Sequence, residues 1–282
     1  MDDVRRVLAP NPGPLTGPGT NTWIVGEGRV AVIDPGPPLE AHLDAVLAAV
    51  GGAKVDAVLV THAHLDHSPL ARPLAERTGA PVLAYGDARA GRSERMEGLG
   101  ALGGGEGVDA GFAPDRTLAD GEVVEAGGRT FTAHHTPGHF GNHMSFETGG
   151  TVFSGDLVMG WATTLVSPPD GDVAAFRASC RRLADLAPRV LMPGHGEPVT
   201  DPAGRIEALL AHRDARERQI LAALDAAPGT PVELAGRIYT DVPRHLHPAA
   251  ARNVLAHLID LAHRGAVEAR GCISATAVFA RA

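Results

Sequence analysis

The chain has 282 residues, 44% of them hydrophobic, and its 25 basic and 33 acidic residues give a formal net charge of −8 at pH 7. This length suits one large domain, or one domain with a small second one, with enough apolar residues for a core. The acidic balance excludes a surface built throughout for nucleic acid, although it allows a local basic groove. Cys180 and Cys272 form no Cys-x-x-Cys motif, which argues against thiolate metal sites and a disulfide framework.

No targeting or membrane segment is expected. The N-terminal stretch 1–21 lacks the apolar core of a signal peptide. No window approaches the roughly 18 apolar residues that a membrane span needs. We therefore expect a cytoplasmic protein without a membrane partner.

The first part of the chain predicts an α/β arrangement. Strands come first, with a strand near residue 4, a turn rich in proline and glycine, and a hairpin at 22–25 and 30–34. Helices and strands then alternate, with helices predicted at 39–50 and about 68–78 and strands at 57–60 and 82–85. Further strands are predicted at 121–126, 130–135, 144–148, 152–154 and 190–192, with a helix at 173–186. This order favours one sheet-rich domain with helices outside it.

Residues 89–112 contain the run GLGALGGGEG. So much glycine disfavours a helix, and the run lacks the Gly-Lys-Ser/Thr of a phosphate-binding loop. We expect a mobile loop here.

The last part of the chain predicts a winged-helix module. A long helix over 203–226 precedes a second helix, for which Thr230, Pro231 and Glu233 supply an N-cap, an N1 proline and a capping box. A third helix over 248–265 and a hairpin over 267–280 complete the module. The predicted domains are therefore 1–202 and 203–282.

Charge in this tail differs from the rest of the chain. From residue 203 onward, arginines outnumber acidic residues by two, which mildly favours a polyanion nearby. A winged helix is as often a packing or dimerisation element, so nucleic-acid binding and a homodimer both stay open.

The stretch THAHLDH, residues 61–67, places several metal-competent side chains directly after an apolar strand. Three imidazoles and a carboxylate this close would repel or desolvate one another unless a cation organised them. His139 in TPGH, Asp156 in FSGD and His195 in PGHG also follow short strands and adjoin Gly or Pro. Since imidazole and carboxylate are donors that zinc prefers, the pattern predicts two adjacent metal sites. Manganese or iron would suit the same donors.

The H-x-H-x-D-H pattern resembles the signature of the metallo-β-lactamase superfamily. The resemblance implies an α+β fold, a four-layer αβ/βα sandwich, here with a small C-terminal winged-helix-like domain. It also implies two zinc ions, the first held by His62, His64 and His139, the second by Asp66, His67 and His195, with Asp156 bridging them. Asp34 in VIDPG matches an acidic position that supports the ligands without binding the metal.

Within the superfamily, three segments resemble the β-lactamase-like protein 2 group: NPGPLTGPGTNTWIVG, HRDARERQI and DVPRHLHPAAARNVLAHLIDLAHRG. Members of the group carry a winged-helix-like tail, and one characterised branch cleaves single-stranded RNA. Ser68-Pro69 and GHFGNH depart from the usual superfamily pattern. Both departures bear on the substrate more than on metal binding.

The resemblance predicts hydrolysis by a metal-bound hydroxide, because two zinc ions lower the pKa of a shared water from ~15.7 to about 7. Asp66 or Asp156 would orient the water or accept its proton. For His143 two roles stay open, a hydrogen-bond donor to the developing oxyanion and a packed loop histidine. Neither Ser154 nor Cys180 lies in a motif typical of a nucleophilic triad.

We consider four functions, of which two are favoured. The first is hydrolysis of a phosphodiester, with single-stranded RNA as the substrate. The second is hydrolysis of a small thioester, lactone or ester, as in glyoxalase II or lactonase relatives. A flavodiiron-type redox protein is disfavoured by His64, where those relatives typically carry Glu, and an intact ligand set disfavours a non-enzymatic regulator.

Overall fold

The computed structural model describes residues 3–99, 102 and 107–282. The strands are β1 (Val4–Leu8), β2 (Asn21–Val25), β3 (Arg29–Ile33), β4 (Lys54–Leu59), β5 (Val82–Ala84), β6 (Arg116–Thr117), β7 (Val123–Ala126), β8 (Arg129–His135), β9 (Met144–Thr148), β10 (Thr151–Gly155), β11 (Val190–Pro193), β12 (Val267–Ala269) and β13 (Phe279–Arg281). The helices are α1 (Glu40–Val50), α2 (Ala71–Thr78), α3 (Glu94–Glu97), α4 (Val173–Asp185), α5 (Pro202–Ala226), α6 (Pro231–Ile238) and α7 (His247–His263), with a 3₁₀ helix at Arg244–Leu246.

Two sheets form the centre of the first domain. One has six strands in the order β1-β2-β3-β4-β5-β6, and the other has five in the order β11-β10-β9-β8-β7. In the first sheet β3, β4 and β5 run parallel, and Ile33 pairs with Leu59 at the ends of their strands. This register brings the residues that follow β3 and β4 side by side at one edge of the sheet.

The strand periodicity explains the layers, because successive side chains of a strand point to opposite faces. Ile33 and Leu59 pack between the sheets, together with Phe131, Phe146 and Phe153. Their neighbours Val32 and Val58 point outward and pack beneath α1 and α2. On the other side, Val152, Leu191 and the α4 side chains Phe176 and Leu183 form the third apolar layer. The predicted four-layer αβ/βα sandwich is confirmed.

The C-terminal part is a winged-helix domain, as predicted. It consists of α5, α6, α7 and the antiparallel pair β12–β13, and the capping box of Thr230 and Glu233 opens α6. Its core contains Leu234, Leu255 and Phe279. None of the helices in the described ranges combines the length and apolar character needed to cross a bilayer.

Helix α5, which begins at the predicted domain boundary, contributes to both cores. Ile206 and Leu209 in its first half pack against the sandwich, and Ile220 and Leu224 in its second half pack in the winged-helix core. The two domains therefore share one continuous helix.

The segment 89–112, predicted to be a mobile loop, includes a short helix in its described part. Residues 94–97 form the short helix α3, and Met96 and Leu102 are buried in the winged-helix core with Leu99 packed against it. The apolar side chains of Met96, Leu99 and Leu102, which are spaced three residues apart, anchor the segment in spite of its glycines. Residues 100, 101 and 103–106, which include the glycine run, lie outside the described residues.

Candidate metal centre

The structure brings all of the predicted metal ligands to one edge of the two sheets. They follow strand ends, after β4, after β8, after β10 and after β11. The residues are His62, His64, Asp66, His67, His139, Asp156 and His195. Candidate ligand atoms lie within 4.8 Å of one another in His62/His64/His139 (the first set) and in Asp66/His67/His195 (the second set). The same holds for His62/His67/Asp156, which links the two sets.

The first set has three ring nitrogens that converge on one point. Nε2 of His62 lies 2.9 Å and Nε2 of His139 lies 3.1 Å from Nδ1 of His64. The other ring nitrogens donate elsewhere, since Nδ1 of His62 donates to Oγ1 of Thr61 at 2.9 Å and Nδ1 of His139 to the carbonyl of Leu165 at 2.7 Å. Both Nε2 lone pairs therefore point at His64, an arrangement that a cation would stabilise.

The second set combines two imidazoles with a carboxylate. Nε2 of His67 and Nε2 of His195 lie 3.3 Å apart, and Oδ2 of Asp66 lies 3.2 Å from Nε2 of His195. Nδ1 of His195 donates to the carbonyl of Gly19 at 3.1 Å, and the Thr20 hydroxyl donates to Oδ2 of Asp66 at 3.3 Å. The atoms that remain face each other across a space suited to a second cation.

Asp156 lies between the two sets. Its Oδ2 is 3.2 Å from Nε2 of His195 and 3.8 Å from Nε2 of His139, and its Oδ1 is 3.5 Å from Nε2 of His67. A carboxylate in this position can bridge two ions. Gly194 makes the close approach feasible, because a Cβ there would lie only 2.4 Å from Oδ1 of Asp156.

Asp34 supports both sets, in line with its predicted role. Its Oδ2 accepts from Nδ1 of His67 at 3.0 Å and from the Thr61 hydroxyl at 2.7 Å, and its Oδ1 accepts from the Thr61 amide at 2.7 Å. Through Thr61 the carboxylate also orients His62. Asp34 adopts a positive φ of 50°, a conformation that Asp tolerates better than most residues.

The two sets differ in protonation. Burial lowers the pKa of His62 and His139 and, together with His139, lowers the pKa of His64 to about 3, so the first set is neutral at pH 7. Burial alone would also lower the pKa of His67 and His195. The carboxylates of Asp66 and Asp156 outweigh it, raising the pKa of His67 well above its usual value and that of His195 to about 9. The second set therefore binds protons where it would otherwise bind a metal ion.

These donors fit divalent metal ions. The set contains only imidazole and carboxylate groups, which suit zinc, manganese and iron alike. The outer ring nitrogens of four of the histidines, His62, His67, His139 and His195, have fixed hydrogen-bond partners, as metal-bound histidines require. The residues present thus fit two adjacent ions.

His143, the third predicted catalytic residue, lies behind the ligands. It is completely buried, its ring centroid is 5.3 Å from that of His62, and its Nδ1 lies 3.0 Å from Oγ1 of Thr136. It is absent from the lining of the cavity described next. Its predicted hydrogen bond to an oxyanion stays a prediction that this position does not favour.

A cavity of about 770 Å³ opens over the ligands and has walls from both domains. The first domain contributes N-terminal residues and the loop that joins β10 to α4 (156–172, the β10–α4 loop), with apolar side chains such as Leu15, Met159, Trp161 and Leu165. The second contributes His245, Leu246, Pro248, Ala249 and Arg252. Leu15 and Trp161 are also exposed, by 56% and 45%, at the mouth.

Sequence reasoning missed these wall residues, as well as Thr20, Thr61 and Leu165, which hold the ligands. The wall residues follow no spacing rule, because residues far apart in the chain meet only in the folded protein. Thr61 had one usable signal, its place between the buried strand and His62.

Comparison with known proteins agrees with this geometry. The metallo-beta-lactamase superfamily pattern matches residues 15–195, and the beta-lactamase associated winged helix domain matches residues 230–275. The chain therefore belongs to the metallo-beta-lactamase superfamily and is a hydrolase of that fold with a candidate metal centre.

Similarity to individual relatives supports the family assignment. The chain is 32% identical over 276 residues to the beta-lactamase-like protein 2 homolog of Drosophila melanogaster, covering 93% of this chain and 88% of the relative. It is 33% identical over 228 residues to the atrochrysone carboxyl ACP thioesterase of Aspergillus chevalieri, covering 78% of this chain and 65% of the relative. A solved metallo-beta-lactamase family protein from Thermus thermophilus superposes with a TM-score of 0.80 at 28% identity, covering 100% of this chain and 99% of that one. The resemblance to the β-lactamase-like protein 2 group is confirmed.

Proposed function

We propose that this protein hydrolyses the ester or thioester bond of a small substrate that carries an apolar acyl group. The observation that carries the proposal is the lining of the cavity. Side chains such as Leu15, Met159, Trp161 and Leu246 surround the space above the ligands, and apart from the ligands the charged side chains of its described lining are Asp170 and Arg252. Such a wall favours an apolar group over a polyanion.

The ligand residues suit the chemistry of such a reaction. Metal ions bound at the centre would supply a Lewis acid and a water acidified to near neutrality. The Asp66 side chain is 26% exposed toward the cavity, and Thr20 and His195 hold its Oδ2. Burial would raise the pKa of Asp66, but His67 and His195 keep that pKa below its usual range. The carboxylate is thus ionised and placed to orient a water or take up its proton.

Similarity to a named thioesterase supports this substrate class. The relative from Aspergillus chevalieri acts, by its name, on a carrier-bound acyl group, and the aligned part is 33% identical over 228 residues. The name of this relative does not indicate which acyl group the present chain would cleave.

Single-stranded RNA is the second candidate. It is favoured by the half-exposed ring of Trp161, on which a base could stack at the cavity mouth, and by similarity along both domains to the β-lactamase-like protein 2 homolog. A nucleic-acid strand, however, needs a row of cations along its backbone. Arg252 of the lining is already engaged with Ser167 and the Leu102 carbonyl.

A substrate panel tests the proposal. Metal-loaded full-length protein is assayed against acyl thioesters of increasing chain length, aryl esters, lactones and labelled single-stranded RNA. We expect thioester hydrolysis with kcat/KM that rises with chain length, falls about 10-fold in Leu246→Ala and Trp161→Ala for long chains only, and vanishes in Asp66→Ala. Val232→Ala, an exposed position on α6, is the matched control. RNA cleavage without ester hydrolysis would overturn the proposal in favour of the second candidate.

A further inference from the structure

Three consecutive residues of the β10–α4 loop connect the metal ligands to the winged-helix domain. The hydroxyl of Thr164 lies 2.8 Å from the carbonyl of Asp156. The carbonyl of Leu165 accepts the hydrogen bond from Nδ1 of His139. The amide of Val166 donates to Oδ1 of Asn253, on α7, at 3.1 Å. The segment that contacts the main chain of Asp156 and orients the ring of His139 is thus held from the other domain.

Arg213, on α5, completes this connection. Its guanidinium donates to the carbonyl of Thr164, and its Nη1 donates to Oδ1 of Asn253 at 3.1 Å. The same group lies 4.9 Å from the ring centroid of Phe176. Oδ1 of Asn253 therefore accepts from both Arg213 and Val166, so the side chain of Asn253 fixes the position of both donors.

The environment of Arg213 is unusual for a charged group. The residue is only 2% exposed, and in residues 3–99, 102 and 107–282 no carboxylate forms an ion pair with it. Burial lowers the pKa of Arg213 to about 10, which still leaves the guanidinium charged at neutral pH. An apolar side chain would pack there without the desolvation penalty of a charge. What the arginine adds is its hydrogen bonds to Thr164 and Asn253.

We propose that Arg213 and Asn253 are positioning residues of the metal centre. They hold residues 164–166 so that the Leu165 carbonyl keeps the proton of His139 on Nδ1 and the Nε2 lone pair on the metal side. The winged-helix domain then helps to position His139, a ligand of the first set, and also forms a wall of the cavity. This inference requires that the candidate centre bind metal, and it is independent of which substrate is cleaved.

The test measures Co²⁺ binding to metal-free, full-length protein by equilibrium dialysis and visible absorption. Wild type should bind two ions. Arg213→Met and Asn253→Ala should bind one of the two about 10-fold more weakly, with an altered Co²⁺ spectrum. Asn253→Asp keeps an acceptor for Arg213 and Val166 and should retain wild-type affinity. The thermal midpoint of each metal-free variant checks that weaker binding does not reflect unfolding.

Arg205→Met is the matched control. Arg205 also lies on α5 and donates to carbonyls of the same loop, those of Met159 and Ala162, both at 2.6 Å, but not to residues 164–166. Its Co²⁺ affinity should stay at the wild-type value. Unchanged binding in Asn253→Ala and Arg213→Met would overturn the positioning role while leaving the metal centre intact. Absence of Co²⁺ binding by wild type would overturn both. If Arg213→Met does not fold, the comparison of Asn253→Ala with Asn253→Asp decides alone.

Discussion

Oδ2 of Asp34 lies 3.0 Å from Nδ1 of His67, and both side chains are buried. The carboxylate accepts three hydrogen bonds, one from His67 and two from Thr61. In Asp34→Asn the amide nitrogen cannot accept, so one donor loses its partner if the nitrogen replaces Oδ1 and two lose it if the nitrogen replaces Oδ2. We expect metal affinity to fall about 10- to 100-fold, measured by dialysis against zinc. Asp44→Asn, an exposed change on α1, is the control, and equal affinities of the two variants would contradict the supporting role.

Metal binding should release protons from the second set. His67 and His195 are protonated at pH 7.5 without metal, because nearby carboxylates outweigh burial and raise the pKa of His195 to about 9. A ligating imidazole must be neutral, so filling this set at pH 7.5 should release about two protons. The share of this release that comes from His195 should decline as pH passes about 9. Calorimetry in buffers of different ionisation enthalpy measures the number, and identical heats in all buffers would refute it.

The same shift has a consequence for the metal-free protein. The pKa of His195 is raised from 6.5 in the unfolded chain to about 9 in the folded one. Its contribution to the free energy of unfolding is therefore fully present below pH 6.5 and is lost as pH rises through about 9. Urea denaturation of metal-free protein at pH 7.5, 8.5 and 9.5 checks this sign, because the histidines whose pKa burial lowers are largely neutral in both states above pH 7.5. A stability that rises over that range would contradict it.

Gly194 should not tolerate a side chain. A Cβ at this position would lie 2.4 Å from Oδ1 of Asp156 and 2.6 Å from Cε1 of His67. Gly194→Ala should therefore displace one of these groups and lower metal affinity, at a cost of about 1–3 kcal/mol in folding free energy. Gly236→Ala is the control, because a Cβ there meets nothing within 4 Å and the residue lies in α6. The free energy of unfolding of that control, measured by urea denaturation, should rise by about 0.5–1 kcal/mol. Its metal affinity should equal that of the wild type.

The cysteines should differ in reactivity. Cys180 is fully buried in α4, and burial raises the pKa of its thiol to about 12, whereas Cys272 is exposed. Iodoacetamide at pH 8 should label Cys272 alone in the native protein and both thiols in guanidinium. Mass spectrometry of the labelled peptides reads the result. Rapid labelling of Cys180 in folded protein would show that α4 opens locally.

The clustering of the candidate metal ligands could be predicted from the sequence because metal chemistry restricts both residue type and spacing. Four of the candidate ligands lie within six consecutive residues, 62–67, where local sequence dictates local geometry. The sandwich was predicted through the resemblance that the H-x-H-x-D-H pattern carries. The structure adds its physical basis, since Val32 and Ile33 alternate between two apolar layers as a strand buried on both faces requires.

The remaining parts depend on long-range packing. Trp161 and Leu246 share a cavity only because the winged-helix domain lies against the β10–α4 loop. The burial of His143 behind His62 and the anchoring of Met96 in the distant C-terminal core likewise arise from contacts between residues far apart in the chain. No periodicity or spacing within a short window encodes such contacts.

Helix α5 places Ile206 in the apolar layer of the sandwich and Leu224 in that of the winged helix. A separation of the two domains would therefore have to divide a helix whose side chains pack in both cores. During evolution, the sandwich cannot exchange its C-terminal partner without also replacing part of its own packing. The two domains are for this reason expected to be inherited together, with substitutions along α5 compensated on both sides.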